Sequence, residues 1–321
     1  MKRILLGTYT KRSSEGIYSV QLDETLKKIE NLELVAKVSN PTYLDFDGYQ
    51  NRIYSVAQSD EMAGISVFDY DGISARHIFS RMEVSTPPCY VAYHPQEKLI
   101  YEANYHKGKA IVTTNEGELD KVFEYGEGAK AHFMDYDPKT GDVFVCDLGS
   151  DVVHKYSLLN EVATYYTPKG TGPRHIAFHP TKPILYVFGE LSSTITVLRD
   201  EGFELVHVQT ISTLPSPQEK NWGAAIRISN DGKFVYASNR ADNTISVFSV
   251  QEDASLVLIQ NISTYGDHPR DFDLSPDNNY LLCANMQSDT LTLYSRDEKT
   301  GQLTMIQSDF SAPEVVCVKF I

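Results

Sequence analysis

The 321-residue sequence predicts an all-β fold, a seven-bladed β-propeller in which each blade is a four-stranded antiparallel sheet. Three observations carry that expectation. Short alternating runs recur about every 46 residues, close to the period of four-stranded propeller blades. No segment shows a sustained apolar stripe at i, i+3, i+4, i+7, which argues against α/β alternation. Composition leans the same way, with 20 Tyr and 14 Phe against a single Trp, because aromatic residues suit a half-buried pleated surface.

Each unit opens with a short alternating run: Pro41-Thr-Tyr-Leu-Asp-Phe-Asp47, Pro88-Cys-Tyr-Val-Ala-Tyr-His94, Ala131-His-Phe-Met-Asp-Tyr-Asp137, Pro173-Arg-His-Ile-Ala-Phe-His179, Gly223-Ala-Ala-Ile-Arg-Ile-Ser229 and Pro269-Arg-Asp-Phe-Asp-Leu-Ser275. Most end in a proline or turn pair, such as His94-Pro95, His179-Pro180 or Asn230-Asp231-Gly232. Second runs follow at Arg52–Val56, Leu99–Tyr101, Asp142–Val145, Ile184–Val187, Phe234–Tyr236 and Tyr280–Leu282. Third runs are marked at Gly64–Phe68, Val152–Tyr156, Thr194–Leu198, Thr244–Phe248 and Thr290–Tyr294.

The seventh unit is split between the chain ends. Pro313–Phe320 reads as a first strand, and Arg3–Gly7, Gly16–Val20 and Leu32–Ala36 supply the second, third and fourth. Pairing the last strand with the N-terminal blade closes the ring without a long exposed edge. Seven units use nearly the whole chain, so residues 1–321 are expected to form one propeller domain.

Charge and composition exclude several functions. The 43 Asp+Glu outweigh the 29 Lys+Arg, for a formal net charge of −14, which opposes a phosphate-backbone binder and points to no nucleic-acid partner. No run of roughly 18 apolar residues is long enough for a membrane span, and the apolar stretch after Lys2-Arg3 is too short for a signal peptide. Cys89, Cys146, Cys283 and Cys317 lie far apart with no CxxC pair; they read as core residues of a reduced, cytoplasmic protein. No P-loop, HExxH pair, GxSxG elbow or dinucleotide fingerprint appears, and neither a metal nor another cofactor is expected.

The repeat also locates a site. In antiparallel neighbours the start of one strand lies beside the end of the next, so both positions ring one mouth of the channel. The first ring reads Thr42, Cys89, His132, Arg174, Ala224, Arg270 and Glu314; the second reads Tyr9, Gln58, Tyr105, Leu148, Glu190, Arg240 and Met286. His132, Arg174, Glu190, Arg240 and Arg270 therefore gather in one sector. Structural readings compete at every position: the arginines as blade-to-blade ion pairs, Glu190 as their counterion, His132 as a satisfied blade-start histidine. His175 shares a column with Tyr43, Tyr90, Phe133, Ala225, Asp271 and Val315, which favours packing, while its place beside Arg174 keeps it among the substrate-binding candidates. His94 and His179 precede turn prolines, and Asp147 and Asp151 suit turn caps. Clustered arginines in a low-dielectric funnel hold carboxylate or phosphate despite the acidic surface, so the expected ligand is small, polar and anionic.

Gly7-Thr-Tyr-Thr10, Asn40-Pro-Thr-Tyr-Leu44, Asp147-Leu-Gly149, Gly172-Pro-Arg-His-Ile-Ala-Phe-His-Pro180, Glu190-Leu-Ser-Ser-Thr194, Ser238-Asn-Arg240 and His268-Pro-Arg270 together resemble the seven-bladed propeller lactonase family. That family is named for 6-phosphogluconolactonase activity and shares its scaffold with fungal muconate-lactonising enzymes. The resemblance covers essentially the whole chain, and Gly-Pro-Arg-His followed sixteen residues later by Glu is its most specific piece. It implies that Arg174, Glu190 and Arg240 occupy site positions and that His132 matches the site histidine. Lys130-Ala-His-Phe133 departs from the family, which more often has a second histidine or a proline there.

The implied activity is hydrolysis of a sugar lactone, most naturally 6-phosphogluconolactone. Catalytic candidates are Glu190, His132 and Arg174; substrate-binding candidates are Arg240, Arg270 and His175. Glu190 or His132 would orient or deprotonate the water, with His132 the candidate base, because arginines nearby depress the pKa of Glu190. A non-catalytic platform for an anionic metabolite or protein and a muconate-type cycloisomerase are the alternatives. The Leu214–Trp222 connection beside the mouth is a candidate for substrate choice. Oligomeric state is left open.

Overall fold

The computed structural model describes residues 1–216 and 221–321. These form seven four-stranded antiparallel sheets arranged in a ring, with no helix among the described residues. Blade 1 starts at Leu44–Asp47 and blade 2 at Tyr90–His94; blades 3 to 6 start at Ala131–Tyr136, Pro173–Phe178, Gly223–Ile228 and Pro269–Leu274. The closing blade, blade 7, has the order Val315–Phe320, Lys2–Thr8, Gly16–Asp23, Lys28–Lys37. Its innermost strand comes from the C-terminus and pairs antiparallel with the first strand of the chain, Ile4 opposite Phe320 and Gly7 opposite Cys317.

The core lies between blades. In blade 5, Val235 and Ala237 pack toward blade 4 with Tyr186 and Phe188, while Phe234 and Tyr236 pack toward blade 6 with Phe272 and Leu281. Successive side chains point to opposite faces, and both faces are covered. Inner strands such as Phe234–Asn239 are therefore buried at every position, whereas the outermost strand Leu256–Ser263 is mostly half-exposed. This explains the third strand of blade 2, Lys109–Thr114, which alternation does not mark: its contiguous Ala-Ile-Val core is buried on both sides.

Second-strand tyrosines clip neighbours together. The hydroxyls of Tyr54, Tyr186 and Tyr236 donate to Asn115 Oδ1 (3.0 Å), the Ala254 carbonyl (3.2 Å) and the Gly301 carbonyl (2.8 Å), each in the next blade.

Several sequence expectations meet their residues here. His94 and His179 do serve turns: Nδ1 of His179 accepts the Thr181 and Lys182 N–H groups at 3.1 Å, and Nδ1 of His94 accepts that of Glu97 at 3.3 Å. Asp147 accepts the Gly149 and Ser150 N–H groups, and Asp151 those of Gly170 and Gly172. Cys146, Cys283 and Cys317 are core residues, but Cys89 is half-exposed.

Glu314 has its carboxylate buried in backbone contacts: it accepts the N–H groups of Lys11, Arg12 and Ser13 at 2.9 Å and of Ser14 at 3.1 Å. The loop after the first strand is thereby wrapped around an acid that immediately precedes the last strand.

Candidate active site at one mouth of the channel

Two equivalent backbone positions bring the site side chains together. In blades 3 to 6 the residue following the second strand donates its N–H to the carbonyl two residues before the first-strand ring position. Leu148 bonds the Lys130 carbonyl (3.0 Å), Glu190 that of Gly172 (2.7 Å), Arg240 that of Trp222 (2.9 Å) and Met286 that of His268 (3.0 Å). The second device is a β-bulge. Pairing skips His132 between Ala131 and Phe133, Arg174 between Pro173 and His175, and Arg270 between Pro269 and Asp271. An extra residue at the rim of a sheet bends the strand and re-aims a side chain; here it happens at three of the site positions.

The result is a cleft of about 350 Å³ lined by His132, Glu190, Arg240 and Arg270 on one side and by Tyr9, Lys11, Asn40, Thr42, Gln58, Pro87, Pro88, Cys89, Tyr105 and His106 on the other. Arg174 stands one layer behind, 3% exposed, and reaches forward: its Nε donates to Glu190 Oε2 at 3.1 Å and its NH1 to the Ala224 carbonyl at 2.7 Å. Arg240 NH2 meets the same Glu190 oxygen at 2.9 Å and donates to the Gly223 carbonyl, also at 2.9 Å. Among the described residues Oε1 of Glu190 has no hydrogen bond, which leaves it to a water in the cleft. Arg270 makes no side-chain hydrogen bond or ion pair among the described residues.

The electrostatics follow from burial and crowding. Burial pushes the Glu190 carboxyl up, but Arg174 and Arg240 outweigh it and hold the group below its usual range. Burial, then Arg240, lowers Arg174 to about 10, still protonated at neutral pH. Burial, followed by Arg174, Arg270 and Arg240, holds the His132 imidazole well below the histidine range. His132 is neutral as a consequence. Its Nδ1 is buried without a partner, so Nε2 is the nitrogen open to the cleft.

Not every candidate reaches the cleft. His175 is 2% exposed and packs among the rings of Tyr43, Tyr90, Phe133 and His132, with Arg174 NH1 within 3.4 Å of its ring. It backs Arg174 and does not line the cleft, because the bulge turns residue 174 and its successor to one side. Leu148 is buried and Met286 lines an adjoining groove. Cys89 belongs to the cleft wall, a correction to its core reading, and burial pushes its thiol up to about 11. The proposed specificity connection is only partly visible: Pro217–Lys220 lie outside the described residues. The ring reading missed Lys11, Asn40, Pro87, Pro88 and His106, which lie one or two positions from ring slots; Lys11 lies two past that of Tyr9.

A family model described as a seven-bladed β-propeller lactonase matches residues 3–320. A protein of Bacillus subtilis named 6-phosphogluconolactonase is 34% identical, over 98% of this chain and 97% of its own. A crystal structure of a protein from Lactobacillus plantarum superposes with a TM-score of 0.96 at 39% identity, covering 100% of both chains. The periplasmic gluconolactonase of Pseudomonas aeruginosa gives a TM-score of 0.91 at 27% identity, over 100% of this chain and 99% of that one.

Proposed function

The chain belongs to the seven-bladed β-propeller lactonase family, and from that premise we propose that it hydrolyses 6-phosphogluconolactone to 6-phosphogluconate in the arginine-lined cleft. The observation that carries this reading is the unequal charge of the site: three arginines stand against one carboxylate, Glu190, which pairs with only two of them, Arg174 and Arg240. That surplus suits an anionic substrate and an oxyanion formed on the way to product.

In this reading Glu190 Oε1 orients a water toward the lactone carbonyl carbon. Its depressed pKa makes it a positioning acceptor and a weak base, and the water's proton passes on to solvent. Arg240 faces the carbonyl oxygen as it becomes an oxyanion. Collapse of the tetrahedral adduct breaks the ring C–O bond, and the ring oxygen leaves as a hydroxyl after taking a proton from solvent. The role of His132 shifts from candidate base to donor. An orphaned N–H costs more than an orphaned lone pair, so the imidazole proton sits on Nε2 and Nε2–H donates into the cleft. Arg174 holds Glu190 in place from behind. The Bacillus subtilis homologue and this chemistry both fit a cytoplasmic setting.

The test is hydrolysis of freshly made 6-phosphogluconolactone by purified protein, corrected for spontaneous opening. Loss of one oriented polar group at a transition state costs roughly 10²-fold, so Glu190→Gln should lower kcat by about that much. Wild-type turnover no faster than that of a Glu190→Gln, Arg174→Ala double variant removes the assignment.

A further inference from the structure

Resting on the lactonase reading, we propose that Lys11 is the specificity-determining residue of the cleft. Together with Arg270 it binds the phosphate of the substrate and selects a phosphorylated sugar lactone over an unphosphorylated one.

The cations of the mouth occupy four consecutive blades: Arg174 in blade 4, Arg240 in blade 5, Arg270 in blade 6 and Lys11 in blade 7. Their commitments differ. Arg174 and Arg240 are spent on Glu190 and on the Ala224 and Gly223 carbonyls. Among the described residues, neither Arg270 nor the Lys11 ammonium has a hydrogen bond or an acidic partner, and Lys11 Nζ rests over the Tyr9 ring, 4.5 Å from its centroid. Two uncommitted positive charges on adjacent blades match a phosphate dianion, whereas a carboxylate would leave one of them unanswered. The wall contributed by Asn40, Thr42 and Gln58 is neutral and hydrogen-bonding, which suits sugar hydroxyls.

Lys11 is also held where it can serve. Its backbone N–H is one of the four donors to the buried Glu314 carboxylate, and the N–H of Thr10 donates to Asn40 Oδ1 at 3.2 Å. The loop is therefore fixed at both ends of this segment, and only the lysine stem needs to order on binding. Beyond Lys11 the cleft opens into a groove shared with Arg12, Met286 and Gln287, which leaves space at the phosphate end.

The experiment compares wild type and Lys11→Met on 6-phosphoglucono-δ-lactone and on glucono-δ-lactone, both freshly prepared and corrected for spontaneous opening. The variant should raise KM for the phosphorylated lactone roughly tenfold, the scale of one charge-assisted contact. KM for glucono-δ-lactone, kcat on both substrates and the melting temperature should stay unchanged. An equal effect on both lactones, no effect on either, or a wild type that prefers the unphosphorylated one overturns the proposal. Should wild type open neither lactone, the lactonase reading fails by itself. Calorimetric titration with 6-phosphogluconate then decides on Lys11: about tenfold weaker binding by the variant supports the subsite, and equal or absent binding by both proteins overturns it.

Discussion

Glu190 and its two arginines show how a buried charge becomes useful without becoming stabilising. Taking three ions out of water costs several kcal/mol per ion, which mutual attraction offsets only when geometry is good. Here both guanidinium groups meet one oxygen, Oε2, within 3.1 Å, and each also satisfies a backbone carbonyl. The other oxygen, Oε1, is left for water. His132 beside them is the residue whose role the charges change. A base and an N–H donor respond differently to substitution, since Gln keeps a donor but not a base. We expect His132→Gln to stay within about tenfold of wild-type kcat and His132→Ala to fall by roughly 10²-fold. Equal losses in both variants would make His132 the base. The identities of these residues were legible in the sequence because the repeat supplies bland equivalents to compare them with. Their depth was not. That Arg174 stands behind Glu190, and His175 behind Arg174, follows from an extra residue in the innermost strand, and nothing in Pro173-Arg-His175 marks a bulge.

At the scale of elements, the strands that alternation picked out are present; it passed over the third strand of blade 2, Lys109–Thr114, whose middle is buried on both faces, and the partly exposed outermost strands of blades 1 to 6. The clasp around Glu314 was invisible for a different reason. Its four donors are backbone groups, which any residue at 11–14 presents, and its acceptor sits about 300 residues away. The clasp predicts a pH-dependent cost. Burial pushes the Glu314 carboxyl up, but the N–H groups of Ser14, Arg12, Lys11 and Ser13 more than reverse this, so its folded pKa lies below the ordinary value of about 4.3. A depressed folded pKa means stability that is present above about pH 4.3 and lost as pH falls through the folded value. Glu314→Gln should therefore cost about 1–3 kcal/mol at pH 7 in urea unfolding, and the gap to wild type should narrow as pH falls below about 4. A gap that stays constant down to pH 3 would mean that the charge of Glu314 contributes nothing.

The whole molecule is a ring, and ring closure explains why a chain of net charge −14 has a cationic mouth. Every blade donates at least one side chain to the rim, so residues from 9 to 270 meet in a cleft that no local window of sequence contains. The same closure buries histidines in the channel wall and at the turns between strands. Burial is the largest cause in every case: His132 and His175 are held well below the histidine range, His268 is lowered to about 4, and His94 and His179 are lowered. Each of these groups is neutral when folded and takes up a proton near pH 6.5 when unfolded. The unfolded chain therefore binds more protons below that pH, and stability falls as the solution is acidified through it. His132 and His175 together steepen this loss by at most about 3 kcal/mol per pH unit once pH is below 6.5. Acid destabilisation should start there, two units above the point at which the carboxylates Glu190 and Glu314 begin to contribute. Urea midpoints measured at pH 8, 7, 6 and 5 would show the onset. His175→Phe removes one of the two groups from an aromatic nest formed by Tyr43, Tyr90 and Phe133, so it should reduce the slope between pH 6 and 5 by about 1.4 kcal/mol per pH unit. An unchanged slope would show that His175 titrates alike in both states and is not held neutral by its burial in the folded protein.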